Sequence, residues 1–141
     1  MSKKSTSNLE NELKRSQSID AYLEINQEEL ADDSLPALLQ ALLTEKGMTK
    51  ADVVRESNMN EIYAYQILSG VRRPSRDKLL CVCLAMKASL EETQNILKRS
   101  DFAPLYARSQ RDSIIMYGFT HGQTILQING SLFDHRENVL E

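Results

Sequence analysis

The stretch Met48–Gly70, MTKADVVRESNMNEIYAYQILSG, decides how this chain is read. Thr49 is a capping residue, and Asp52 three positions on can reach back to its backbone N–H as a weak capping box. The helix opened there draws its inner side from Ala51 and Val54, with Val53 beside them, and ends around Ser57-Asn58. Asn is one of the few residue types that tolerates positive φ, so Asn58 suits a tight turn. Asn60 then caps a second short helix running to Ser69, and Gly70 closes it.

Upstream, Ser34 caps a helix with Pro36 in its first turn, where a missing N–H is harmless. Leu35, Leu38, Leu39, Leu42 and Leu43 form one face of it, and Gly47 stops it. Downstream, Val71-Arg72-Arg73-Pro74 is a loop, and Ser75 caps a fourth helix with Leu79, Leu80, Cys83, Leu84 and Met86 as its apolar side. Ser89 with Glu92 is a clear capping box for a fifth helix over 90–99, with Ile96 and Leu97 inward.

The flanks are read with less detail. Residues 1–33 form an acidic segment: 1–8 are polar and expected to be disordered. The thin apolar spacing of Leu9, Leu13, Ile19 and Leu23 allows either one or two short helices or a floppy arm. After 34–100 comes a C-terminal extension, 101–141. In it Pro104 marks a break, and Arg111-Asp112 opens a helix carrying Ile114, Ile115, Tyr117 and Phe119 that ends near Gly122. Thr124 with Gln127 boxes a last helix through about Phe133, with Ile125, Leu126, Ile128 and Leu132 as its apolar positions. Two helices this small must pack on the domain, covering the fourth and fifth helices, or on a second copy. Each of the five glycines falls where a helix could end, and strand signals are weak throughout. The expected fold class is all-α.

Net charge is −3, unpromising for a nucleic-acid binder, but the distribution is uneven. Residues 1–35 carry four basic and eight acidic side chains, whereas 36–80 carry seven and five, with Arg72, Arg73, Arg76 and Lys78 close together. The N-terminus lacks the apolar stretch of a secretory signal and no window resembles a membrane span, so the expected location is the cytoplasm, without a membrane partner. Cys81 and Cys83 stand two apart in an apolar run, a spacing unsuited to an ordinary disulfide within one helix; both read as small core or boundary residues.

Two short helices, a tight turn, a closing glycine and a basic loop form a helix-turn-helix layout. Met48–Gly70 resembles the Xre/Cro family of phage lambda repressor-like transcriptional regulators. Thr49–Val54 looks like the family's second helix, Asn58 stands at the usual turn glycine, and Ala64 and Ile67 look like the buried residues of the recognition helix. Gly70 followed by Arg72-Arg73-Pro74-Ser75 looks like its exit into the fourth helix. The resemblance covers roughly residues 36–100. The sequence departs from it at Val54, usually a small residue, and at Ser57, usually apolar. It implies a five-helix DNA-binding domain acting as a homodimer on double-stranded DNA, with the third helix (about 61–69) in the major groove.

With Ala64 and Ile67 inward, Ile62, Tyr65, Gln66 and Ser69 point outward, flanked by Glu61 and Tyr63. The base-reading candidates are Asn60, Glu61, Ile62, Tyr65 and Gln66. Gln66 leads them because its amide can pair bidentately with adenine. The phosphate candidates are Thr49, Lys50, Arg72, Arg73, Ser75 and Arg76, by charge or by position at a helix start. The alternative is local pairing of Arg72 or Arg76 with Asp77 or Glu61. The outward face holds no Lys or Arg, so a module repurposed as a protein-interaction adaptor, using Ile62 and Tyr65 or the acidic N-terminal segment, stands beside the DNA reading.

No catalytic site, cofactor or metal is expected. His121 and His135 lie apart in polar surroundings, no glycine-rich phosphate loop is present, and Asp112, Ser113 and His121 form a triad only on paper.

Overall fold

Ser34, Thr49, Asn60, Ser75, Ser89, Ser109 and Thr124 each stand at the start of a helix, all but Ser34 with a side-chain oxygen accepting from a backbone N–H of the first turn, and together they set the layout of the longer part of the molecule. The computed structural model describes residues 4–27 and 34–141; among them every regular element is a helix. The helices are α1 (Thr6–Arg15), α2 (Ile19–Ile25), α3 (Leu35–Lys46), α4 (Lys50–Glu56), α5 (Glu61–Ser69), α6 (Arg76–Ala85), α7 (Leu90–Arg99), α8 (Gln110–Thr120) and α9 (Ile125–Asp134). None of them is long and apolar enough to cross a membrane.

The chain divides into two units, Met1–Asp32 and Asp33–Glu141. In the first, α1 begins at Thr6 because the Ser5 side chain accepts from the backbone N–H of Asn8. Residues 5–8 therefore belong to a capped helix, not to the disordered start expected; residues 1–3 lie outside the described part. Asn26 ties the unit together: its Oδ1 accepts from Lys4 Nζ at 2.8 Å and its Nδ2 donates to Glu12 at 2.9 Å. Lys4 also pairs with Glu12 at 2.8 Å, and those bonds hold the Glu12 carboxyl below its ordinary pKa.

In the second unit α3 to α9 share one apolar core. Leu39, Leu43, Val53, Ile67, Leu79, Leu80, Met86 and Leu97 are fully buried, and Ile115, Ile128 and Leu132 from the C-terminal extension join them. α8 packs on α7 and α9 on α6, so the extension covers the fourth and fifth helices of the domain. Burial also accounts for the two cysteines, which are free thiols in the core.

Three readings of the sequence need correction. The inner side of α4 is centred on Val53 and Ser57, both fully buried, while Ala51 is exposed. These two are four apart, one helical turn, and the Ser57 hydroxyl donates to the Val54 carbonyl at 2.9 Å, so a polar residue sits in the core without an orphaned donor. Tyr117 and Leu126 are exposed, because the inward faces of α8 and α9 run through Ile115 and Gly118 and through Ile125, Ile128 and Leu132. Finally, Gly118 and Gly130 lie within helices rather than at their ends. At Gly118 the reason is contact: a Cβ there would stand 2.3 Å from Ile128 Cγ1.

Candidate nucleic-acid interface

Local chemistry fixes α4 and α5. Thr49 Oγ1 accepts from Asp52 N and Asp52 Oδ2 accepts from Thr49 N, a reciprocal capping box at the start of α4. Asn58 takes the left-handed conformation, φ 56°, and turns the chain; Asn60 Oδ1 then accepts from Tyr63 N to cap α5. Gly70 ends α5 at φ 85°, and its missing side chain admits Pro36, whose Cγ would lie 2.5 Å from a Cβ at that position.

α5 packs against α3 and α4 through Ala64, Ile67 and Leu68, which leaves its other side open. Ile62 is 68% exposed and Tyr65 38%; Glu61 and Ser69 are exposed and Gln66 is half-buried. Asn60 at its cap is exposed as well.

Gln66 and Arg72 are joined twice. The Arg72 backbone N–H donates to the Gln66 carbonyl at 3.2 Å, and Arg72 Nε donates to Gln66 Oε1 at 3.1 Å. The chain reversal at Gly70 makes this possible by folding the loop back over the end of α5. One lone pair of Oε1 is used, leaving the amide able to accept once more and to donate from Nε2. The Arg72 guanidinium carbon also lies 5.0 Å from the centre of the Tyr63 ring, and Lys78 Nζ reaches the same ring at 5.6 Å. Met59, Asn60, Ile62, Tyr63, Gln66, Arg72 and Lys78 line one open groove along α5.

The remaining phosphate candidates separate. Arg76 faces the protein: it donates to the Ala103 and Pro104 carbonyls and to both oxygens of Asp112. Four of its five donors are thereby spent, so it fastens the C-terminal extension and does not face the groove. It pairs with Asp112, not with the nearby Asp77 or Glu61. Arg73 is half-committed, donating to the Ser100 carbonyl at 2.6 Å with its guanidinium 4.3 Å from the Phe102 ring. Ser75 is exposed at the start of α6, where its hydroxyl accepts from Lys78 N. Thr49 and Lys50 are exposed at the start of α4, outside the groove. There the Asp52 carboxylate already occupies the helix N-terminus, held ionised by its hydrogen bonds to Thr49 and Arg55, which makes that end less inviting to a phosphate.

Lys78 is the residue the sequence underrated. It was visible as part of a basic run, but its convergence with Arg72 on Tyr63 depends on how α6 leaves the loop. The paper triad does not assemble: Asp112 is held by Arg76, the Ser113 hydroxyl donates to the Ala107 carbonyl, and His121 stacks on Tyr117 with ring centres 3.7 Å apart. Among the described residues no cluster of His, Cys, Asp and Glu could hold a metal ion.

Charge divides along the same line as the fold. Residues 1–32 hold four basic and seven acidic side chains, and residues 33–141 hold thirteen of each. The net negative charge thus belongs to the first unit, and the unit carrying the groove is neutral. Comparison with protein-family models, with curated protein sequences and with solved structures found no match to the chain.

Proposed function

We propose that the chain is a sequence-specific DNA-binding transcriptional regulator acting in the cytoplasm, with α3–α7 as a lambda repressor-like five-helix domain that inserts α5 into the major groove. One observation carries the reading: the exposed face of α5 bears a glutamine whose amide is pre-oriented by Arg72, at the edge of a groove that Lys78 also enters. A bidentate amide contact reads adenine through its N6 and N7 atoms. Arg72 and Lys78 supply charge for the adjacent backbone, Asn60 and Glu61 lie nearest the bases at the helix start, and Ile62 meets a thymine methyl. No step of bond making or breaking is assigned to the chain.

Selection from a pool of random duplexes tests this. The expected result is an enriched near-palindromic motif whose adenine preference shifts when Gln66 is replaced. A pool that stays random removes the proposal.

A second reading has its own observation. Ile62 and Val71 are 68% and 76% exposed, and α5 carries no basic side chain, as suits a protein contact. It predicts that Ile62→Ser abolishes capture of a protein partner.

A further inference from the structure

A cavity of about 290 Å³ opens where the end of α4, the end of α6 and the corner between α8 and α9 come together. Small-molecule sites run from roughly 300 to 1,000 Å³, so this one is suited to something the size of a single amino acid. Leu84, Ala88, Phe119 and Ile125 give it an apolar wall. It shares no lining residue with the groove along α5.

Three polar side chains along that wall have nothing to bind. Glu56 ends α4 and Lys87 follows α6; both are exposed, and neither side chain makes an ion pair or hydrogen bond among the described residues. The third is Gln123, between α8 and α9, whose Oε1 is shut away from water with no donor. Buried polar atoms are ordinarily paired, so such an oxygen calls for a partner. Its place is fixed by Gly118, which also lines the cavity: a Cβ added there would stand 3.3 Å from Gln123 Oε1. The rest of the Gln123 side chain is only half-buried, and the last torsion of a glutamine is soft. A small turn of the amide therefore presents the oxygen to a donor in the cavity.

We infer that this cavity binds a free apolar amino acid in its zwitterionic form. The ammonium of the amino acid donates to Gln123 Oε1 and to the Glu56 carboxylate, as charge-assisted hydrogen bonds. Its carboxylate meets Lys87 and the positive end of α9, where Thr124 and Ile125 line the cavity and the first turn holds no acidic side chain. Its side chain lies on Leu84, Ala88 and Phe119. Two acceptors and one cation set the choice of ligand. A simple amine leaves Lys87 unanswered, and a simple carboxylic acid leaves Glu56 and Gln123 unanswered. Because α4, α6, α8 and α9 all contribute, an occupant ties the C-terminal extension to the first helix of the helix-turn-helix pair.

Methyl-detected NMR titration of the full chain tests this, read at Leu84, Ala85, Ala88 and Ile125. The probes are L-leucine, L-methionine and L-phenylalanine. Isoamylamine and 4-methylpentanoate serve as leucine without its carboxylate and leucine without its ammonium. The expected result is a saturable shift of those methyls by at least one amino acid, with a dissociation constant between micromolar and low millimolar. If that amino acid is leucine, both stripped analogues bind roughly tenfold or more weakly; for methionine or phenylalanine the corresponding amine and acid are used. Lys87→Gln weakens the amino acid and leaves the amine unchanged. Glu56→Gln and Gln123→Met weaken the amino acid and the amine and leave the acid unchanged. Lys87 and Glu56 are exposed, so circular dichroism of their variants should match the parent. No saturable shift with any of the three amino acids overturns the inference. So do analogues that bind as tightly as the amino acid, or variants that fail to divide the amine from the acid.

Discussion

Arg76 and Asp112, 36 residues apart, meet in a two-pronged ion pair, Nη1 to Oδ1 at 3.0 Å and Nη2 to Oδ2 at 2.9 Å. Their chain neighbours repeat the contact in reverse, with Arg111 giving Nη1 and Nη2 to Asp77 at 3.1 and 2.8 Å. Two adjacent Arg-Asp pairs, one at the start of α6 and one at the start of α8, thus clasp each other. Arg111 also donates to the carbonyls of Asn138 and Val139, which brings the end of the chain into the same clasp.

Removing Arg76 leaves the Asp112 carboxylate largely buried without its main partner. Burial by itself raises the Asp112 pKa, but Arg76, the Tyr106 N–H and Arg111 outweigh it, and the net shift is downward from 3.8. Arg76→Ala is expected to destabilise the fold by about 3 kcal/mol, since the side chains of the pair are only 24% and 10% exposed. A carboxyl with a lowered folded-state pKa contributes its full stability above the unfolded value and loses it as pH falls through the folded one. Urea midpoints measured from pH 6 down to pH 2 should therefore fall at the acid end, less steeply in Asp112→Asn. An identical acid limb in the two proteins would show that the pair contributes nothing.

The contact between α8 and α9 gives a second expectation. Gly118→Ala places a methyl group against Ile128 Cγ1 and Cδ1, at 2.3 and 2.4 Å, so the two helices must separate. Overpacking of this kind costs about 1–3 kcal/mol, more than the roughly 1 kcal/mol that alanine gains over glycine in helix propensity. Thermal unfolding of Gly118→Ala, Ile128→Val and the double variant measures the coupling. The double variant should be more stable than the sum of the singles predicts, because valine lacks the Cδ1 atom in the way.

The capping boxes were legible in the sequence because each is a pair of bonds between residues three apart. Thr49 with Asp52, Ser89 with Glu92 and Thr124 with Gln127 all form both hydrogen bonds expected of them. The outward set on α5 was legible too, since Ala64 and Ile67 fix a helix face by period alone. Arg76 and Lys78 were not separable. Both are basic residues two positions apart, and only a partner 36 residues downstream turns Arg76 away from the groove. Gly118 reads as a helix stop until Ile128, from the next helix, is known to press on it.

Salt dependence separates the arginines around the groove. If Arg72 and Lys78 each neutralise a phosphate, replacing either by alanine lowers the slope of log binding constant against log salt by about one unit. Arg76→Ala should leave that slope unchanged at temperatures where the variant remains folded. Titrations of a selected duplex at several salt concentrations decide this, and equal slopes for all three variants would mean that the groove does not hold the backbone.

The two thiols report on opening of the core. Burial pushes the Cys81 thiol up to about 11 and the Cys83 thiol up to about 12, so neither forms thiolate in the native state near neutral pH. A thiol reagent should modify both only through the unfolded state, with the logarithm of the rate rising in Arg76→Ala and Gly118→Ala in step with their loss of stability. Rapid labelling of the parent protein would place the cysteines in a locally open segment instead.

The turn before α5 supplies the last test. Asn58 holds φ at 56°, a conformation that costs most L residues about 1–2 kcal/mol. Asn58→Gly removes that steric cost and should leave stability within a few tenths of a kcal/mol of the parent, offset by glycine's greater freedom in the unfolded chain. Asn58→Val, β-branched and exposed, should lose at least 1 kcal/mol without disturbing any core contact. Because the residue is solvent-facing, loss in valine with retention in glycine isolates the backbone as the cause. Equal losses in both variants would show that the asparagine side chain, and not its conformation, holds the turn that aims α5.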